Sequence, residues 1–145
     1  MSKIVPFRDT TFEECVTDSA VIGETDDCSV KAVAIAARVS YYNAHKMLKA
    51  CGRENRKGAS TGTISAAMFL LRADMRSVDM DQLRMINRNR TLTVNNVVKY
   101  LRADASYIMY TKDHVVAVRN GKVEDWTAGR KHRVLSVHQI IREEK

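Results

Sequence analysis

Cys28, His114 and Asp125 are the side chains of this sequence whose types and settings suit nucleophilic catalysis. Cys28 follows Asp26 and Asp27 and opens a run in which Val30, Val33, Ala34, Ile35 and Ala37 recur at helical spacing. A cysteine in the first turn of a helix sees unpaired backbone N–H groups and the positive end of the macrodipole, and both favour the thiolate. The other two cysteines lack that setting. Cys15 follows Glu13 and Glu14, whose charge disfavours a thiolate, and Cys51 ends a helical pattern, where the dipole has the opposite sign. An odd number of cysteines without paired spacing argues against a disulfide framework.

His114 and Asp125 flank Asn120-Gly121, the strongest short hairpin signal in the chain. With a two-residue loop, Val118 faces Val123, Val116 faces Asp125 and His114 faces Thr127. His114 and Asp125 are then diagonal neighbours on one face, while Glu124 and Trp126 point to the other. A three-residue loop with a bulge would break this parity. A carboxylate that orients an imidazole makes a poised general base, and Cys28 is the nucleophile for it to activate.

The elements that must position these groups follow from periodicity. A helix is predicted over 28–39, and a second from Ser40 as cap to Cys51, with Tyr41, Ala44 and Leu48 on one stripe and Gly52 as the stop. Residues 53–62 read as an exposed loop. A third helix starts near Thr61 or Thr63, carries Ile64, Ala67, Met68 and Leu71, and ends before Arg76. Residues 77–90 are ambiguous, and a short helix capped by Thr93 turns Val94, Val97, Val98 and Leu101 inward. The period then switches to two, which predicts strands at 106–110, 114–119, 122–126 and 131–137.

Helices first and sheet second make an α+β fold, with N-terminal helices packed on a C-terminal antiparallel sheet of about four strands. The expected organisation is a single domain over 1–145: a lead-in at 1–27, a mainly helical part at 28–104 and the sheet at 105–140. No repeat, low-complexity tract or linker divides it.

The chain has 24 Lys and Arg against 17 Asp and Glu, a net charge of +7. Such a balance points to an acidic partner, either nucleic acid or an acidic protein surface. Arg53, Arg56 and Lys57 share one loop. Arg84, Arg88 and Arg90 cluster before the last helix, and Arg130, Lys131 and Arg133 follow the hairpin. Phosphate contacts from such clusters would give salt-dependent, sequence-independent affinity, although no helix-turn-helix, stacking platform or zinc module accompanies them.

No stretch reaches the roughly 18 to 20 uncharged apolar residues of a membrane span, and no apolar secretory segment precedes a cleavage site, so a cytoplasmic protein is expected. Metal binding is not expected, because no Cys-x-x-Cys pair exists. His45 is placed on an exposed helix face, and His132 and His138 on strand surfaces, none with a carboxylate partner of the kind His114 has. Trp126 could line a cleft, though a lone aromatic on a sheet more simply packs in a core or along an edge.

Asp-Asp-Cys-Ser-Val-Lys-Ala-Val-Ala-Ile-Ala (26–36), followed by His-Val-Val-Ala-Val-Arg-Asn-Gly-Lys-Val-Glu-Asp-Trp (114–126), resembles a small papain-like cysteine peptidase. The order matches that superfamily: a Cys opening a long helix, a His at a strand start, then an Asp or Asn on the next strand. The chain is most similar to short papain-like proteins encoded by tailed bacteriophages, in which Thr-Leu-Thr-Val, His-Val-Val-Ala-Val and Arg-Lys-His-Arg-Val runs recur. The resemblance covers about residues 26–137 in element order. It implies a thiol peptidase that cleaves peptide or isopeptide bonds of a protein or peptide substrate without a cofactor, in the cytoplasm of an infected bacterium. Cys28 would be the nucleophile, His114 the base and Asp125 its orienting group.

One departure concerns the oxyanion hole. Papain-like enzymes commonly supply a Gln about six residues before the nucleophile, and Ile22 stands there. Thr25, Asp26 and Asp27 are the remaining side-chain candidates beside the Cys28 N–H, and of the three only Thr25 is a neutral donor. Asp26 and Asp27 also place negative charge beside the thiolate unless one caps the helix or pairs with Lys31. Two alternatives stay open: a non-catalytic phage host-takeover protein that binds nucleic acid or a host protein through a basic surface, and a pseudo-peptidase that holds a peptide without cutting it.

Overall fold

In the computed structural model, which describes residues 5–142, the apolar run that begins at Cys28 forms a helix with seven of its nine residues buried. In chain order the elements are α1 (Phe12–Val21), α2 (Cys28–Ala36), α3 (Tyr41–Ala50), α4 (Thr61–Leu70), β1 (Asp74–Ser77), α5 (Met80–Ile86) and α6 (Val94–Val97). A 3₁₀ turn (Val98–Tyr100) then leads to β2 (Ser106–Thr111), β3 (His114–Arg119), β4 (Lys122–Glu124) and β5 (Val134–Ile141). The fold is α+β, with one antiparallel sheet in the order β1-β5-β2-β3-β4.

Helix starts sit where hydroxyl side chains can take orphan N–H groups. Ser40 accepts from Asn43 N, Ser60 accepts from Thr63 N, and Thr93 forms a reciprocal box with Asn96. Thr11 does the same with Glu14 and so starts α1 inside the expected lead-in. That segment is therefore a packed helix, with Cys15 and Ser19 buried; residues 1–4 of it lie outside the described residues.

β3 explains the layering. Val115 to Arg119 are buried without alternation, as a strand covered on both faces requires. Val115 and Ala117 join the α2–α4 core with Ile108 and Ile140, while Val116 and Val118 meet Leu83, Val94 and Val97 on the opposite face. The helices thus cover the sheet from two sides.

The sheet has five strands, not about four. β1 lies in the part read as helical and pairs with β5, Met75 opposite Ile140. Only Met75 of its four residues is partly buried, so it lacks the alternating apolar signal and joins through main-chain bonds. β4 stops at Glu124 instead of Trp126, and β5 runs Val134–Ile141 instead of 131–137, which leaves Lys131 and His132 in a loop. Among the described residues, no helix is long and apolar enough to cross a membrane.

Candidate active site

Cys28 is the first residue of α2, and Asp27 holds the N-cap position without a side-chain cap bond. Asp27 instead accepts from Tyr41 Oη at 2.6 Å and pairs with Lys31 Nζ at 3.2 Å. Burial alone would raise its carboxyl pKa, but hydrogen bonds from Ser19 and Tyr41 and the Lys31 charge hold it below the usual value. Asp27 is thus an ionised acceptor neutralised by Lys31, and it cannot donate to an oxyanion. Asp26, exposed and in the left-handed region at φ +49°, lines the cleft as a second carboxylate. Thr25 is exposed and is not among the lining residues. No side chain caps α2, and Cys28, its first residue, lines the cleft, so the Cys28 N–H is the first-turn donor placed to serve it.

His114 opens β3, and Asp125 follows the last residue of β4. The hairpin has the predicted two-residue loop, with Asn120 and Gly121 at φ +54° and +74°, and Val118 pairs with Val123. The ladder ends at Ala117–Glu124, beyond which the chain turns. His114 Nε2 meets Asp125 Oδ2 at 2.8 Å, and the same oxygen accepts from Thr127 N at 3.0 Å and Thr127 Oγ1 at 2.7 Å. Committing Nε2 to Asp125 leaves Nδ1 as the ring nitrogen open to a second partner. Burial opposes the charged ring, but hydrogen bonds and charge from Asp125 and Cys28 outweigh it and raise the His114 pKa to about 9. The imidazole is accordingly protonated at neutral pH.

Cys28, His114 and Asp125 line one cleft of about 400 Å³ with Lys31, Phe12 and Trp126. Trp126 is turned to the His114 side, its ring centroid 5.2 Å from the imidazole, and it is half exposed. The strand parity that sent it to the other face fails because the ladder stops two residues before it. Cys15 is fully buried, and burial pushes its thiol up to about 12. It is a core side chain.

Thr127, fully buried, was not singled out by the sequence, where it marks only a ladder position. It is a positioning residue for Asp125. Thr127→Val should lower the rate of Cys28 alkylation several-fold with little loss of stability, and Thr127→Ser should restore it. An unchanged rate in the valine variant would remove that role.

Glu24 is the other anchor. Its carboxylate takes Arg53 Nη1 at 2.8 Å, His45 Nε2 at 2.5 Å and Arg56 N at 2.7 Å, which ties the turn before Cys28 to α3 and the loop after it. Arg53 is buried and His45 is paired, contrary to the exposed loop and partnerless histidine that the sequence suggests. Local patterning carries no sign of a bond between residues so far apart.

The basic residues divide. Arg84, Arg90 and Arg133 line a hollow of about 170 Å³, with Arg88 exposed at the preceding turn. Arg130 lies over the Trp126 ring at 5.5 Å, and Lys131 is exposed between the two groups. Among the described residues, no group of three or more His, Cys, Asp or Glu is arranged to hold a metal. Comparisons with protein-family models, curated proteins and solved structures gave no match.

Proposed function

We propose that the protein is a papain-like thiol hydrolase that cleaves peptide or isopeptide bonds with Cys28, His114 and Asp125. The observation that supports this most is an imidazole held by a buried carboxylate in an open cleft that is also lined by a cysteine at a helix N-terminus. An imidazolium beside a thiol favours the thiolate. Cys28 Sγ attacks the scissile carbonyl, and the Cys28 N–H receives the developing oxyanion. The C–N bond breaks as His114 gives its proton to the leaving amine, and a thioester remains on Cys28. Neutral His114 then takes a proton from water, whose oxygen displaces the thiolate and releases the acid. Asp125 holds the ring in the required orientation throughout.

A peptidyl vinyl sulfone, which traps activated thiols through a positioned addition, tests the reading by intact-protein mass. One adduct at Cys28 is expected in the wild type and none in His114→Ala. Equal modification of Cys28 and Cys51 would contradict it.

A further inference from the structure

The hollow formed by Arg84, Arg90 and Arg133 is built rigidly. Val134 N donates to Leu92 O and Val94 N to His132 O, both at 2.9 Å, so the segment carrying Arg90 is stitched to the one carrying Arg133. Buried Asn87 secures the turn before them, with Nδ2 on Arg90 O and Thr91 O and Oδ1 accepting from Tyr100 Oη at 2.7 Å. Arg84 pairs with the exposed Asp81, whereas no carboxylate among the described residues pairs with Arg90 or Arg133.

Arg133 also lines a second hollow of about 290 Å³ with Lys112 and His132. His132 meets the Trp126 ring edge-on at 5.4 Å, and Arg130 lies over that ring. A line of cations therefore leads from α5 to a half-exposed aromatic. No Asp or Glu lines either hollow, whereas the Cys28 cleft is lined by Asp26, Asp27, Asp113 and Asp125. Phosphates are therefore drawn to the two hollows, with Trp126 at the border between them and the carboxylate-lined cleft.

Guanidinium forks match phosphate oxygens, and a half-exposed Trp ring offers stacking to a base. Acidic peptides would use the cations but not the ring, and the bases of a duplex are already stacked on one another. We propose that this track binds single-stranded nucleic acid, with phosphates on Arg84, Arg90, Arg133 and Lys112 and a base on Trp126. Trp126 also lines the Cys28 cleft, but Arg84, Arg90, Arg133 and Lys112 do not, so the Arg90 and Arg133 variants test the track separately from the hydrolase reading.

Fluorescence anisotropy of a labelled oligothymidylate of about 12 nucleotides tests it. With three or four phosphate contacts, affinity should fall roughly 20- to 50-fold between about 50 and 200 mM salt. Arg90→Glu/Arg133→Glu should cost more than about 10-fold at low salt while leaving Cys28 alkylation unchanged, and Trp126→Ala about 5- to 100-fold. Binding without salt dependence, or undiminished in the double variant, overturns the proposal. So does tighter binding of polyglutamate or of anionic vesicles, which would assign the surface to a protein or a lipid.

Discussion

Glu24→Ala is expected to lower the free energy of unfolding by about 3–5 kcal/mol, the cost of leaving a buried cation without its partner. The Arg53 side chain is wholly shielded from solvent and Glu24 nearly so, and Arg53 Nη1 and Nη2 both donate to the carboxylate. Alanine would strand the guanidinium, His45 and the Arg56 N–H together. The melting temperature should drop by roughly 10–15 °C for a domain of this size. Asp81→Ala, which breaks an exposed pair with Arg84, should cost no more than about 1 kcal/mol and serves as the comparison.

The pH dependence has a definite sign. Hydrogen bonds from Arg53, opposed by burial, hold the Glu24 carboxyl at about 2, well under its ordinary 4.5. Its contribution to stability is therefore complete above pH 4.5 and fades as the pH falls toward 2. Urea denaturation across that window should show a steeper acid limb in the wild type than in Glu24→Ala. Parallel limbs, or a loss under about 1 kcal/mol at pH 7, would show that the cluster is not what anchors the turn ahead of Cys28.

What the sequence reveals and what it hides divide by distance along the chain. The Cys28 helix, the Asn120-Gly121 hairpin and the His114–Asp125 pairing are legible because each depends on neighbours within about a dozen residues. Hairpin register in particular follows from the loop alone. Trp126 escapes that logic because Asp125 and Thr127 bond to each other and end the ladder, which re-aims the residue between them. β1 is hidden because an edge strand can join by main-chain bonds with almost no buried side chain. The Glu24 cluster and the Arg90–Arg133 hollow are hidden for another reason: each closes over a span that periodicity does not reach. The expected side-chain oxyanion donors have a related explanation, since an aspartate before a helix reads as a cap until Tyr41 and Lys31 are seen to occupy it.

The Cys28–His114 pair carries the second large expectation and the most direct test. Removing a positioned general base commonly costs 10²–10⁴-fold in turnover, so His114→Ala should leave at most about 1% of any hydrolytic activity. The same pair can be read without knowing a substrate, through the pH profile of alkylation by iodoacetate at each cysteine, resolved by peptide mass. An ordinary thiol near 8.5 is almost wholly protonated at pH 6, and a neighbouring imidazolium is the kind of group that favours reaction of a cysteine there. Cys28 should react on the order of 100-fold faster than Cys51 at that pH, and buried Cys15 should stay unlabelled. Because the reagent is an anion attracted by protonated His114, the Cys28 rate should fall as the pH passes about 9, where the ring loses its proton. In His114→Ala the profile should collapse onto that of Cys51. If Cys28 and Cys51 instead follow one curve in the wild type, and that curve is unmoved by His114→Ala, the triad does not operate and the protein is not a thiol hydrolase.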